Sequence, residues 1–259
     1  MLRRLAIFAA FALVAAAVCV RLGIWQLSRL AQRRRANAAV AARLDAPAAP
    51  LESLPASPEA ARWRRVRVDG AFDYAREALL ANRTHDGSPG AYLLTPLRRA
   101  GMDTVVFVNR GWVYAGDGRT VDFARWREDS AAHGEGYVEL FPEAQGNTIR
   151  NAPGDTVVLR RLERDRLARR AGALVAPYYV VLLADSAARA AGGAGSRSVA
   201  ERPGRLGTPA LDEGPHLSYA IQWFSFAAIA VGGVVGMWIT ERRRQEAASR
   251  SQGAGRRRV

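Results

Sequence analysis

Hydrophobic and polar positions divide the chain into two uncharged apolar stretches and an alternating middle. Leu5–Val20 is sixteen residues without a polar side chain other than the Cys19 thiol, and the run continues past Arg21 as Leu22, Gly23, Ile24, Trp25 and Leu27. About 20 residues suffice to cross a bilayer if Arg21 snorkels to the surface. A cleaved signal peptide is the alternative, with Arg3 and Arg4 as its basic start and Ala15-Ala16-Ala17 as its cleavage site. A lipoprotein signal is excluded because Val18, not a small residue, precedes Cys19. The second stretch, Leu217–Thr240, is 24 residues without a charge, roughly 36 Å as a helix. Its Ala228, Gly232 and Gly236 stand four apart. They read either as a face on which another helix packs closely or as the ordinary glycine content of such spans.

The middle alternates on a strand period. Runs at Trp63–Val68, Glu77–Ala81, Ala91–Leu97, Thr104–Val108, Tyr137–Phe141, Thr156–Leu159 and Tyr178–Leu183 predict strands, and Leu162–Ala171 predicts a helix. Strands without regular helix alternation predict an α+β fold, a mainly antiparallel β domain between two transmembrane helices. The expected organisation is a cytoplasmic start (1–4), a first span (5–27), a basic segment and linker (28–62), and an extracytoplasmic α+β domain (63–186). A Gly/Ala/Ser/Pro-rich linker (187–215), a second span (217–240) and a basic cytoplasmic tail (241–259) complete it.

Composition removes several chemistries. All 38 basic residues are arginine, so mechanisms that need a lysine amine, including P-loop, Schiff-base and Ser/Lys chemistry, are unavailable. A single cysteine excludes an intrachain disulfide, a CxxC pair and a multi-thiolate metal site. Net charge is +14, yet residues 1–43 carry +8, 241–259 carry +5 and 44–215 only +1. Excess charge beside apolar spans sets membrane orientation rather than marking nucleic-acid binding. The arginine-rich tail after Thr240 places both termini in the cytoplasm and 44–215 outside. Arg29, Arg33, Arg34 and Arg35 run against that rule and call for a partner or anionic ligand.

Of three histidines, His133 lies in a polar stretch and His85 in a turn-like Asn82–Gly87 segment. His216 directly precedes the second span, with Tyr219 and Trp223 on the same helical face. An imidazole among aromatics at the bilayer edge suits haem, whose commonest axial ligand is histidine; an interfacial aromatic belt is the alternative. Across from it, Arg21, Trp25 and Arg29 share one stripe, where the cations meet haem propionates or an acidic partner, or else snorkel to water beside a belt tryptophan. Asn109-Arg110-Gly111-Trp112 closes a strand, with Gly111 marking a turn or bulge, as a recognition corner or a buried structural one. No nucleophile, paired-carboxylate or metal-cluster pattern points to catalysis.

Together these residues resemble a known family. Gly23-Ile24-Trp25-Gln26-Leu27-Ser28-Arg29 is similar to a G-x-W-Q-x-x-R element. Pro89-Gly90 through Thr95-Pro96-Leu97 resembles a PG…TPL segment, and Val108–Val113 a VNRGWV element. His216–Phe224 resembles an H-x-x-Y-A-x-x-W-F opening of the second span. The family is the surfeit locus protein 1 family of cytochrome c oxidase assembly factors. Tyr114 departs from it, standing where proline is common. The resemblance implies a non-catalytic protein of the cell inner membrane with its first span retained. Such a protein assists delivery or insertion of haem a, bound transiently, into the largest oxidase subunit; a cofactor-free scaffold for an assembly intermediate is the alternative. Implied partners are oxidase subunit I, the haem a synthesis machinery and the lipid bilayer, with no nucleic acid. His216 is then the haem-iron contact, with Tyr219, Trp223, Trp25 and Arg29 around the cofactor. Gly23, Gln26, Gly90, Asn109, Arg110, Gly111 and Trp112 are partner-binding or structural.

Overall fold

A computed structural model of the chain describes residues 2–143, 157–184 and 202–256. Its helices are α1 (Leu2–Asp45), α2 (Pro58–Ala61), α3 (Arg164–Ala171) and α4 (His216–Arg256). Its strands are β1 (Ala49–Pro50), β2 (Arg65–Phe72), β3 (Ala78–His85), β4 (Ser88–Arg98), β5 (Thr104–Tyr114), β6 (Ala131–Leu140), β7 (Val158–Leu159) and β8 (Leu174–Leu182). They form two compact units, 1–39 with 211–259 and 40–210.

The first unit is a pair of long apolar helices. Both α1 and α4 carry a segment long and apolar enough to cross a membrane. Helix α1 does not end with its apolar run: Ala and Arg, both good helix formers, carry it unbroken to Asp45, so the basic segment expected as a linker is largely helical. Within this unit Ala12, Ala16, Gly23, Gln26 and Leu30 are the buried positions of α1, with Cys19 half-buried between them. Their alternating four- and three-residue spacing is the seam of a paired helix. A Cβ on Gly23 would stand 2.7 Å from the Phe224 ring of α4, so only glycine allows this approach. On α4 the buried residues are Ala220 and Ala227. Ala228, Gly232 and Gly236 are exposed, and nothing approaches a Cβ built on either glycine. The close-packing face is therefore the Ala220–Ala227 stripe and not the small-residue stripe that spacing picked out.

The second unit is a mixed β-barrel. The sheet runs β1-β2-β6-β8-β5-β4-β3-β7, and β2 also pairs with β4 through Ala71–Arg98 and Phe72–Leu97, which closes five strands on themselves. Five of the eight pairings are antiparallel; β1–β2, β3–β7 and β5–β8 are parallel. Alternate residues of the closed strands share one core: Val66 and Val68, Val106 and Val108, Val180 and Leu182, with Leu97 and Val138. The intervening Val105 and Phe107 join Ala78, Leu80 and Leu94 on the opposite face, where Leu167 and Ala171 of α3 cover them. Gly172, left-handed at φ 60°, ends α3. Strands β4 and β5 are therefore buried on both faces, which is why they read as continuous apolar runs.

Every strand expected from the pattern is present, with shifted ends; Thr156, at the start of one run, lies outside the described residues. Strand β6 starts six residues before its apolar run, through His133, Gly134 and Gly136. Gly136 is needed there, since a Cβ would stand 2.5 Å from the Val181 carbonyl of β8. The Asp86-Gly87 pair, both at positive φ, turns β3 into β4. Of the linker expected over 187–215, residues 187–201 lie outside the described ones. Beyond them the chain is pinned to the barrel: Gly204 pairs with Trp112, and Leu206 with Leu183.

Candidate functional site

At the start of α4 a short turn presents His216. The Gly214 N–H donates to Asp212 Oδ1 at 2.9 Å, and Gly214 takes φ 72°. The Pro215 carbonyl then accepts from the Tyr219 N–H at 3.1 Å and the Ser218 hydroxyl at 2.8 Å, closing the first helical turn. Helix α1 grips this turn through its polar extension. Arg33 Nε and Asn37 Nδ2 donate to the Asp212 carbonyl at 3.0 and 3.1 Å, and Arg34 makes a bidentate pair with Glu213, both bonds 2.9 Å. The arginines that defied the charge rule thus include one with its own counter-ion.

Inside that frame the His216 imidazole is half-buried, with Nδ1 2.9 Å from Oε1 of the buried Gln26. His216 lines an open cleft of about 360 Å³ with Arg29, Gln32, Arg33, Ala36, Glu213 and Gly214. Arg29 donates to Gln32 Oε1 at 2.9 Å. Tyr219 and Trp25 are exposed on their helices, and Trp223 is half-buried edge-on to Phe226. None of these three aromatics lines the cleft. Of the residues expected around a cofactor, the structure brings together His216 and Arg29, with Gln26 beneath the imidazole.

The expected ligand chemistry can be tested against these atoms. An axial histidine needs a neutral ring with one nitrogen held by an outer partner and the other bare. Nδ1 has that partner in Gln26, and Nε2 makes no hydrogen bond among the described residues. Two arginines in the same cleft supply donors for carboxylates. The residues fit a haem. Among the described residues no three His, Cys, Asp or Glu cluster as a metal-ion site.

The second candidate corner, Asn109-Arg110-Gly111-Trp112 with Gly90, belongs to the barrel and is built as a structural knot. Arg110 is completely buried. Its Nη2 donates to Glu77 Oε1 at 2.6 Å, its Nε to Thr95 Oγ1 at 2.8 Å, and its Nη1 to the Trp126 carbonyl at 2.7 Å and Glu128 Oε2 at 3.0 Å. Arg205 donates to the other Glu128 oxygen at 2.5 Å and to the Arg110 carbonyl. Asn109 Oδ1 accepts from the Gly111 N–H at 3.0 Å, and Trp112 Nε1 donates to the Arg83 carbonyl at 3.1 Å. The Trp112 ring sits where a Gly90 Cβ would be, 2.4 Å away. Sequence reasoning named Arg110 but missed Glu77, Thr95, Glu128 and Arg205, which lie 33, 15, 18 and 95 positions away. An acid opening a strand run at Glu77 was the one available signal.

Burial pushes the Glu77 carboxyl above its ordinary range even beside Arg110 and Thr95, and its Oε2 has no hydrogen-bond partner among the described residues. Asp73 is the opposite case: burial raises it, but bonds from Arg98 and Arg76 outweigh burial and hold it low. Asp117 is held at about 2 by the Thr120 hydroxyl and the Thr120 and Arg119 N–H groups. A raised folded pKa favours the protonated native state, so Glu77's contribution is complete below the ordinary carboxylate value and is lost as pH rises through its folded value. Asp73 and Asp117 contribute above their ordinary values, and their share is lost as pH falls through the depressed ones. Glu77→Gln is therefore expected to gain on wild type as pH rises from about 4.3, while both lose stability together toward pH 2. Thermal midpoints across pH 2–8 check this, and parallel curves above pH 4 would contradict it.

The four sequence elements all lie within the region that comparison with known proteins matches. A sequence profile of the SURF1 family matches residues 13–228. An uncharacterized SURF1-like protein of Mycobacterium bovis is 31% identical over 233 residues, covering 87% of this chain and 80% of its own length. A SURF1-like protein of Monosiga brevicollis is 26% identical over 86% of this chain and 83% of its own. Surfeit locus protein 1 of Rattus norvegicus is 30% identical over 117 residues, 40% of this chain and 38% of its own. With two apolar helices, a β-barrel and a profile match across most of its length, the chain belongs to the SURF1 family.

Proposed function

We propose that this protein is a membrane-bound assembly factor for cytochrome c oxidase that receives haem a at the start of α4 and assists its delivery to the largest oxidase subunit. The observation that carries this reading is His216, with Nδ1 tied to buried Gln26, Nε2 without a hydrogen bond among the described residues, and Arg29 and Arg33 in the same cleft. His216 holds the iron, and Arg29 meets a propionate. The haem supplies the redox-active iron of the finished oxidase; the protein's part is to bind, orient and release it. Both termini lie in the cytoplasm and the barrel outside, in the cell inner membrane. Oxidase subunit I and the haem a synthesis machinery are the partners.

The test is complementation of a host lacking its own family member. Wild type restores haem a in purified oxidase, whereas His216→Ala lowers haem a per oxidase by about tenfold or more, since loss of a ligand costs at least what loss of an outer-shell partner does. Protein level in the membrane stays at wild type, because His216 is half-buried at a helix start and not in either core. Full haem a content with the variant would overturn the assignment.

A further inference from the structure

Gln26 is the one polar residue in an otherwise small or apolar seam. Ala12, Ala16, Gly23 and Leu30 are buried with it, and the seam bonds nothing else to α4 through a side chain among the described residues. A buried amide must have partners, and a buried polar side chain in a helix seam has two distinct uses: fixing helix register or orienting a neighbour. The geometry favours the second. Gln26 presents Oε1, an acceptor, to His216 Nδ1 at 2.9 Å, so Nδ1 must carry the ring proton. A neutral imidazole has only one N–H. Placing it on Nδ1 leaves the Nε2 lone pair bare.

We propose that Gln26 is a positioning residue that selects the Nδ1–H tautomer of His216 and so presents Nε2 as the ligand atom. This rests on the haem reading for its purpose but not for its test. A free imidazole favours the opposite tautomer, so without Gln26 the ligand nitrogen would be capped by its own proton. Leucine at 26 fills the space without an acceptor. Glutamate restores an acceptor at the same reach, and only an acceptor.

The experiment is nitrogen NMR of the full chain in detergent, with ¹⁵N-labelled histidine, at about pH 8.5, two units above the ordinary histidine value. His216→Ala assigns the signal among the three histidines. Wild type and Gln26→Glu are expected to show a protonated Nδ1 and bare Nε2, and Gln26→Leu a predominant Nε2–H. With haem a supplied, Gln26→Leu should bind about 10–100-fold more weakly, the cost of losing an outer-shell partner, and Gln26→Glu should bind as wild type. A wild-type ring protonated at Nε2, or the same tautomer in all three proteins, overturns the proposal and leaves Gln26 as a register device. The tautomer pattern without haem binding in any variant would sustain the role of Gln26 and sink the haem reading instead.

Discussion

Arg110→Ala is expected to cost the barrel about 3–5 kcal/mol, the range for breaking a buried ion pair by removing one partner. Four acceptors lose their donor at once: Glu77, Thr95, the Trp126 carbonyl and Glu128. Glu77 suffers most. It is 2% exposed, one of its oxygens already lacks a partner, and burial already pushes its carboxyl up, so without the guanidinium it must take a proton to remain inside. The Glu128–Arg205 pair survives the change, but the Arg110 side chain that anchored Glu128 from within is gone. For a domain of this size the loss corresponds to roughly 6–20 °C in the unfolding midpoint, read by differential scanning fluorimetry of the detergent-solubilised chain. Arg110→Lys should fall almost as far, because an ammonium cannot reproduce the fork that reaches Glu77, Thr95 and Glu128 together. A midpoint within 2 °C of wild type would mean that the knot is decorative.

Gly111→Ala is the second large effect, expected near 3 kcal/mol from a strained backbone and a steric clash together. Gly111 has φ 131°, and a Cβ there would stand 2.3 Å from the Gly204 carbonyl oxygen. Backbone cannot yield as a side chain end can. The Gly204 segment must therefore leave β5, breaking both Trp112–Gly204 hydrogen bonds, each 2.8 Å. Arg205 goes with it and abandons Glu128 and the Arg110 carbonyl. Limited proteolysis should cut the variant after Arg202 or Arg205 far faster than wild type. Equal protection of that segment would contradict the account. In Gly204→Ala the corresponding Cβ lies 3.4 Å from the Trp112 carbonyl, so that variant should stay close to wild type.

These two positions mark where sequence reasoning stopped. Asn109-Arg110-Gly111-Trp112 was legible as a corner, because arginine and glycine in an apolar strand are costly unless something uses them. Its partners were not, since a guanidinium can be satisfied by acids anywhere in the chain. Barrel closure was hidden for the same reason: the β2–β4 and β5–β8 pairings join strands distant in sequence, which no local alternation encodes. The start of β6 was missed because its inward positions, Ala132 and Gly136, are too small to mark an apolar period, while Ala131, His133 and Glu135 between them are exposed. The first helix was cut short because hydropathy measures a bilayer and not a helix. Its 44 residues extend about 66 Å, twice the hydrocarbon thickness, and the polar part carries the arginines that hold the turn before His216.

The ligand reading fared differently. His216 stood out at the mouth of one apolar span and Gln26 was legible at the same end of the other, but nothing in the sequence paired them. Their meeting depends on a second helix 190 residues away. The aromatics chosen by helical spacing, Tyr219, Trp223 and Trp25, do not line the cleft.

The central claim is that this chain handles haem a through His216. The direct measurement is the absorption spectrum and extracted-haem analysis of the full-length protein, expressed with haem a synthesis present and purified in mild detergent. The account predicts haem a in stoichiometric amount and its loss in His216→Ala at unchanged protein yield. Haem-free wild-type protein that still carries oxidase subunit I through purification would contradict it and make the molecule a scaffold.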